Sequence, residues 1–312
     1  MGSKLELVKY QNFWCRSFRL KDVIHYQKHF IAQDTDIFIA SLPKTGTTWL
    51  KSLLFTIINR FNPDHQPLNK NSPLLNHNPH ELVYFLDHGI YGGKPPLPSP
   101  QQLQQLPSPR LLQTHVPYAS FPKSIKTSSC KIVYIARNPL DTLVSQWHWH
   151  LKLIKNWVGD LDEFQPPSIE DFFKEFCLGR FPSGPYFDHV TEFFKQSLQQ
   201  PNKVMFLKYE DLKGDHVVSH VKKMAEFVGF PFSDHEEDEG VINDIIELCS
   251  FNNLKELEIN KTGMMRKLID NKNFFRKGEV GDWANHLTPS MVEEINILMQ
   301  EKFGDIGLSF QV

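Results

Sequence analysis

The stretch Phe38-Ile-Ala-Ser-Leu-Pro-Lys-Thr-Gly-Thr-Thr-Trp-Leu-Lys51 limits what this chain can fold into more than any other. Ile37 to Ala40 is a short apolar run with β-branched residues and reads as a buried strand. Pro43 and Gly46 break it, and the apolar spacing Leu50, Leu53, Leu54, Ile57, Ile58 predicts a helix over 47–60. Strand, tight loop and helix together leave unpaired backbone N–H groups and a positive dipole end aimed at one spot, where a phosphate sits favourably. Lys44 adds a full charge, Thr45, Thr47 and Thr48 add hydroxyl donors, and Gly46 lets the backbone approach closely. The stretch is not a Walker A loop, which needs Gly, four residues, then Gly-Lys-Ser/Thr; here the Lys precedes the Gly. The plainer reading is a Thr-capped turn between a strand and a helix.

With 312 residues, 40% hydrophobic and 22% charged, the composition is that of a globular protein. The length permits one large domain or two small ones. A net charge of −2 argues against a nucleic-acid binder. Cys15, Cys130, Cys177 and Cys249 are far apart with no Cys-x-x-Cys pair, which favours free thiols in a reducing compartment over disulfides or a zinc site. No apolar run approaches a membrane span, no signal-peptide profile is present, and Glu6 stands where a myristoylation signal wants Ser or Thr. The expected location is the cytoplasm, with no membrane association.

Strands and helices alternate along the chain. Further strands are expected over 110–114, 131–136 and 204–207, and helices from Asn138-Pro-Leu-Asp141 onward and over 169–178, 187–200, 217–228, 241–249 and 288–303. Asn138 as N-cap, Pro139 at the first helical position and Asp141 in the first turn mark one helix start. The acidic run Asp234 to Glu239 suits another helix start and a solvated face. This pattern predicts an α/β fold with a mostly parallel central sheet flanked by helices, in which ligands bind beyond the carboxyl ends of the strands. Residues up to about Asp36 read as an N-terminal arm. The proline-rich stretch 62–109 reads as a lid or mobile connection, and 260–273 as a mobile segment.

Several residues just past strand ends could carry chemistry. Arg137 can present a bidentate guanidinium to a phosphate beside a helix start, with Ser145 two turns on; the plain alternative is a surface ion pair and a solvated hydroxyl. Arg276-Lys277-Gly278 can wrap a phosphate or be a basic surface turn. His115, after a strand and before Pro117, can act as a base or be a satisfied structural residue. Trp49 and Phe251 can clamp a flat ring, or be plain core. No metal is expected, since His148 and His150 lack the i, i+4 partner that would converge on one.

Pro43-Lys-Thr-Gly-Thr-Thr-Trp49, Gln113-Thr-His-Val-Pro117, Arg137-Asn-Pro-Leu-Asp-Thr-Leu-Val-Ser145, Tyr209-Glu-Asp-Leu212 and Arg276-Lys-Gly-Glu-Val-Gly-Asp-Trp283 stand in the order seen in cytosolic sulfotransferases. Across nearly the whole chain the sequence resembles the plant branch of that family, judged by Pro79-His-Glu-Leu82 and Glu258-Ile-Asn-Lys-Thr-Gly263. The resemblance implies a single domain over 1–312, related to nucleotide kinases, with 3′-phosphoadenosine 5′-phosphosulfate (PAPS) as co-substrate, PAP as product and no metal. Carried over by position, Lys44, Thr45, Gly46, Thr47, Thr48 and Trp49 would hold the 5′-phosphosulfate, with Trp49 stacked on the adenine. Arg137 and Ser145, helped by Arg276, Lys277 and Gly278, would grip the 3′-phosphate. Tyr209, Phe251 and Leu254 would border the adenine, with Cys249 standing where the family commonly has a hydroxyl residue. His115 would be the catalytic base and Lys44 would stabilise the leaving group.

A neutral imidazole near pH 7 is matched to taking the proton of an alcohol or phenol. Lys44 and the helix start would then stabilise charge growing on the departing nucleotide. The rival expectations are a P-loop-type nucleotide kinase or hydrolase, and a catalytically dead nucleotide-binding adaptor. The implied partner is a small hydroxylated acceptor: a flavonoid, a steroid such as a brassinosteroid, a hydroxyjasmonate or a desulfoglucosinolate. Segments 62–109 and 258–275 would shape its pocket, with Tyr84 and Phe85 as wall residues. The animal dimer motif Lys-x-x-x-Thr-Val-x-x-x-Glu is matched by Ala284, Thr288, Pro289 and Glu293, so its Lys and Val are absent and a monomer is expected over a weak homodimer.

Overall fold

Continuous apolar runs such as Ile37-Phe-Ile-Ala-Ser41 are what a parallel sheet covered on both faces selects, and the computed structural model places that run at the middle of one. The structure describes residues 5–91, 97–158, 166–265 and 269–312. In chain order the strands are β1 (Leu7–Tyr10), β2 (Phe13–Arg16), β3 (Ile37–Ser41), β4 (Tyr84–Phe85), β5 (Leu111–Thr114), β6 (Lys131–Ala136), β7 (Val204–Lys208), β8 (Met264–Met265) and β9 (Ile269–Asp270). Five of them form the central sheet in the order β4-β5-β3-β6-β7, parallel at every pairing. Its register sets Ile39 opposite Gln113 on one side and Val133 on the other. All four strands expected from the sequence are present, and β4 adds a two-residue edge that the proline-rich stretch had masked.

The two-residue period of a strand divides the core. From β6, Ile132, Tyr134 and Ala136 enter one layer, with Tyr186, Val190 and Phe193 of the helix Tyr186–Gln199 and Ile295 of the helix Pro289–Phe303. Val133 and Ile135 enter the other, under the helices Thr47–Asn59, Val217–Phe227 and Val241–Leu248. Arg110 and Asp36, both fully buried where β5 and β3 begin, close a two-point ion pair at 2.7 and 2.5 Å.

Three segments differ from the sequence reading. The N-terminal part is the antiparallel hairpin β1–β2 followed by a helix, Leu20–His29, whose Val23 and Tyr26 are buried in the core. Over 62–109 the described residues form short helical turns and β4; residues 92–96 lie outside the described residues. Over 260–273, read as mobile, the described residues are tied in by buried amides. Asn78 Nδ2 donates to Asn260 Oδ1 at 2.7 Å, and Asn260 Nδ2 to the Leu254 carbonyl at 2.8 Å. Asn271 Nδ2 donates to the Ile259 carbonyl at 2.9 Å. A polar sequence gave no apolar period to read, yet its amides serve as internal ties. Residues 266–268 fall outside the description. The acidic run is the short helix Asp234–Asp238, capped by Ser233, and its Glu236 pairs with buried Arg60 at 2.6 Å.

Candidate active site

The loop leaving β3 turns into the helix Thr47–Asn59 through two left-handed residues, Lys44 at φ +72° and Gly46 at φ +108°. A Cβ at Gly46 would stand 2.7 Å from Tyr209 Cδ2, so the position needs glycine for space as well as conformation. Lys44, Gly46, Thr47 and Thr48 line one cavity, into which the first-turn N–H groups and the helix dipole are directed.

The hydroxyls of this loop have partners. Thr45 Oγ1 donates to the carbonyls of Leu42 and Ile135, at 2.9 and 3.0 Å. Thr47 Oγ1 lies 2.7 Å from Ser41 Oγ, and Thr48 Oγ1 lies 2.9 Å from His80 Nε2.

Cations gather at the same end. Arg137, at the carboxyl end of β6, is 5% exposed and lies over the Tyr209 ring at 4.7 Å. It holds Asp141 Oδ2 at 3.1 Å and donates to the Glu279 carbonyl. Arg276 bonds Asp282 Oδ2 at 2.6 Å, and Lys277 bonds the other oxygen of the same carboxylate. Burial alone would raise the Asp282 pKa, but Lys277 and Arg276 hold it well below the usual carboxylate range. Arg137 Nε and Arg276 Nε are buried with no hydrogen-bond partner among the described residues. Burial first, then the neighbouring charges of Lys152, Arg276 and Arg137, push the Lys44 ammonium down to about 7. Concentrated positive charge with buried donors turned to the same end suits the binding of an anion.

Asp141 is the clasp of this end. Its two oxygens accept from the N–H groups of Gly281 (2.9 Å) and Trp283 (3.1 Å), while Asn138 Oδ1 caps the helix at the Asp141 N–H, 2.8 Å away. The loop carrying Arg276 to Gly278 is thereby fixed to the helix carrying Arg137 and Ser145. Tyr209 donates to the Gly278 carbonyl at 2.9 Å and packs edge-on against Trp49, with ring centroids 5.5 Å apart. Gly278 has φ +69°, and a Cβ there would collide with the Phe251 ring.

His115 follows β5 directly and lines the same cavity as Lys44. Its Nδ1 sits 2.6 Å from the Ser41 carbonyl. A carbonyl only accepts, so Nδ1 carries the proton and Nε2 keeps its lone pair. Burial, assisted by the charges of Lys51 and Arg19, pushes its pKa down to about 3 against the opposing pull of the Ser41 carbonyl, so the ring is neutral at pH 7. Asp87, pushed up to about 6 by burial, accepts from Thr114 Oγ1 at 2.7 Å and from the His115 N–H at 3.2 Å, fixing the backbone under the ring. Phe85 meets His115 edge-on at 4.8 Å. The apolar part of the cavity wall includes Trp149, Phe172, Ile269 and Phe274, beside Arg16, Arg19, His88 and His150, and Trp149 lies under Lys44 Nζ at 4.5 Å. Neutral base, cationic loop and apolar recess in one cavity suit transfer of an anionic group to a hydroxyl of an apolar molecule.

The model of the sulfotransferase domain matches residues 34–307 of the chain. The chain belongs to the sulfotransferase family. Cytosolic sulfotransferase 5 of Arabidopsis thaliana is 45% identical over 97% of this chain and 90% of its own length. A crystal structure of an Arabidopsis thaliana candidate steroid sulphotransferase superimposes with a TM-score of 0.73, at 36% identity, covering 98% of this chain and 89% of that one. The mouse sulfotransferase SULT7A1, solved in complex with PAP, superimposes with a TM-score of 0.69, at 26% identity and 96% coverage of both chains. The central parallel sheet with helices on both faces is thus the sulfotransferase fold.

Within this sulfotransferase, His115, Lys44, Gly46, Thr47, Thr48, Trp49, Arg137, Ser145, Tyr209, Phe251, Leu254, Arg276, Lys277 and Gly278 all line the one cavity. Three expected residues do not. Thr45 is fully buried with its hydroxyl spent on two carbonyls, so only its backbone N–H can serve an anion, not the side-chain donor expected. Cys249, fully buried, turns inward with Sγ 3.5 Å from Thr56 Oγ1, and burial pushes its thiol up to about 12; no side-chain contact to an adenine is open to it. Tyr84 packs against the core because strand alternation sends it opposite to Phe85. Asp87, His80 and Lys51 were given no site role by the sequence, although His80 stands in Pro79-His-Glu-Leu82 and Lys51 ends the opening stretch; their contacts exist only once β4, β5 and the loop meet. Among the described residues no group of three or more His, Cys, Asp or Glu could hold a metal, and no helix is long and apolar enough to cross a membrane.

Proposed function

We propose that this sulfotransferase moves the sulfuryl group of 3′-phosphoadenosine 5′-phosphosulfate to the hydroxyl of a small, largely apolar acceptor. The observation that carries the reading is His115: a neutral imidazole with its lone-pair nitrogen in the same cavity as the Lys44 loop. The mouse relative's bound PAP supports the choice of nucleotide. In this reading Arg137, with its orphaned Nε, and Ser145 take the 3′-phosphate, with Arg276, Lys277 and Gly278 closing over it. The N–H groups of Lys44 to Thr48 take the 5′-phosphosulfate. The adenine enters between Trp49 and Phe251, bordered by Tyr209 and Leu254.

The acceptor lies against Phe85, Trp149, Phe172 and Phe274 with its hydroxyl at His115 Nε2. His115 takes that proton as the acceptor oxygen bonds to sulfur in line and the S–O bond to the nucleotide breaks. Lys44 stabilises the charge released on the phosphate. The aromatic recess is consistent with a flavonoid, a steroid, a hydroxyjasmonate or a desulfoglucosinolate; a screen of these acceptors with labelled donor would choose among them. We take the chain as one catalytic domain whose acceptor wall comes from the 62–109 and 258–275 segments, acting as a monomer. We place it in the cytosol, as the names of its relatives have it.

His115→Ala tests the assignment. Turnover should fall by at least about a hundredfold, the range expected for a lost general base, while PAP binding by calorimetry stays within a few-fold of wild type. Loss of nucleotide binding together with turnover would count against His115 as the base.

A further inference from the structure

Beside the loop, a fully buried lysine faces a histidine that in turn faces a loop hydroxyl. Lys51 Nζ lies 3.1 Å from His80 Nδ1 and 3.3 Å from the Val83 carbonyl. His80 Nε2 lies 2.9 Å from Thr48 Oγ1. Phe274 covers the imidazole, with ring centroids 4.2 Å apart and planes 29° from parallel, and so hinders its rotation. His80 is the histidine of Pro79-His-Glu-Leu82, whose chemistry the reaction above leaves unused.

The direction of the two hydrogen bonds follows from elementary chemistry. An ammonium has donors and no acceptor, so His80 Nδ1 must accept. A neutral ring accepting at Nδ1 carries its proton on Nε2, and that N–H donates to Thr48 Oγ1. With its oxygen already accepting, the Thr48 hydroxyl keeps its own proton to give away, and Thr48 lines the cavity at the anion end. In the other tautomer, Thr48 would donate to His80 and turn only lone pairs toward the anion, which repels it.

We propose that Lys51 and His80 are positioning residues that fix the Thr48 hydroxyl as a permanent donor to the 5′-phosphosulfate. The inference rests on the sulfuryl-transfer reading and deepens it. Neither residue needs to touch the reacting atoms; the buried charge on Lys51 sets the tautomer, and the tautomer sets the hydroxyl. Phe274, from the 258–275 segment, joins this relay to the acceptor wall.

The test combines a tautomer measurement with a mutant cycle. In protein labelled with 15N-histidine and saturated with PAP, the nitrogen shifts of His80 should report the Nε2–H form, and Lys51→Met should shift it to the Nδ1–H form or a mixture. Thr48→Val, and Lys51→Met alone, should each lower kcat about ten- to a hundredfold, the range for a hydrogen bond to a charged group. The Thr48→Val/Lys51→Met double variant should be no worse than Thr48→Val. His80→Gln, whose amide can accept from Lys51 and donate to Thr48, should keep kcat within about threefold, while His80→Leu should fall as far as Thr48→Val. The His80 pair leaves Lys51 in place, so the result does not hang on how the Lys51 variant folds. An Nδ1–H tautomer in the wild type, fully additive losses, or His80→Gln as impaired as His80→Leu would each overturn the relay. Wild-type protein that binds no PAP would instead overturn the parent reading, and the relay with it.

Discussion

If the cations around the loop await a polyanion, nucleotide binding should take up a proton, and Lys44 is the group that receives it. The ammonium is pushed down to about 7, by burial and by Lys152, Arg276 and Arg137, from the ordinary 10.5 of a lysine. A phosphosulfate or phosphate beside it favours the charged form and restores a high pKa. At pH 8 the phosphate groups are already fully ionised, their second pKa being about 6. His115, down at about 3, stays neutral there whether or not it shifts upward by a few units. Lys152 and Lys213 are lowered less than Lys44, so Lys44 is the main titrating group at that pH, about nine-tenths deprotonated before binding and protonated after it.

Calorimetric titrations of PAP in buffers of different ionisation enthalpy should give uptake of about 0.9 proton at pH 8 and less, about 0.3, at pH 7, where the two phosphates each give up about a tenth of a proton. Affinity should weaken as pH rises through 7 toward the pKa of the complex, by about fiftyfold between pH 7 and pH 9 for a full shift. Lys44 retains some solvent contact, and screening reduces that to between about ten- and fiftyfold. Lys44→Met should abolish both the uptake and the pH dependence. Proton release on binding at pH 8, or uptake unchanged in Lys44→Met, would refute the argument.

Three further outcomes follow from the geometry. Arg137→Ala should weaken PAP by about 2 kcal/mol or more, as for a lost charge-assisted pair, but leave adenosine 5′-phosphosulfate, which lacks the 3′-phosphate, within a few-fold in competition binding; equal weakening of both would remove Arg137 from the 3′-phosphate. Gly278→Ala should push Phe251 out of place and lower affinity for the adenine nucleotide with little effect on acceptor KM, read from initial rates; an unchanged nucleotide KM would show that Phe251 does not face the base. Asp36→Asn, leaving the Arg110 charge buried and half-paired, should cost about 3–5 kcal/mol of stability in urea unfolding; a loss below about 1 kcal/mol would show that water reaches the pair.

Sequence patterns reach some elements of this fold and not others. The strands β3 and β6 were legible because strands buried on both faces are nearly unbroken apolar runs, and β5 and β7 because each still holds a short apolar stretch. The hairpin β1–β2 and the helix Leu20–His29 were not, because the strands are only four residues long and the helix sets Lys21, Lys28 and His29 in solvent among its apolar residues. The 260–273 segment looked structureless because its ties are buried asparagine amides, which leave no periodic trace.

Sequence alone determined the loop chemistry, the strand–loop–helix that carries it, and the basic and aromatic residues set just past strand ends. These features are local: a glycine that permits φ +108°, an Asn-Pro helix start, and a run of β-branched residues act through their immediate neighbours. Tertiary structure alone decided which of those groups face the cavity. Thr45 and Cys249 carry the expected polar atoms, yet packing turns both inward to satisfy them in the core. The tautomer of His115 depends on a carbonyl 74 residues away, and Thr48 Oγ1 meets a histidine 32 residues away that Lys51 of its own helix also meets. Hydrogen-bond direction and pKa are set by what lies within a few ångströms in space, and no sequence spacing encodes that distance.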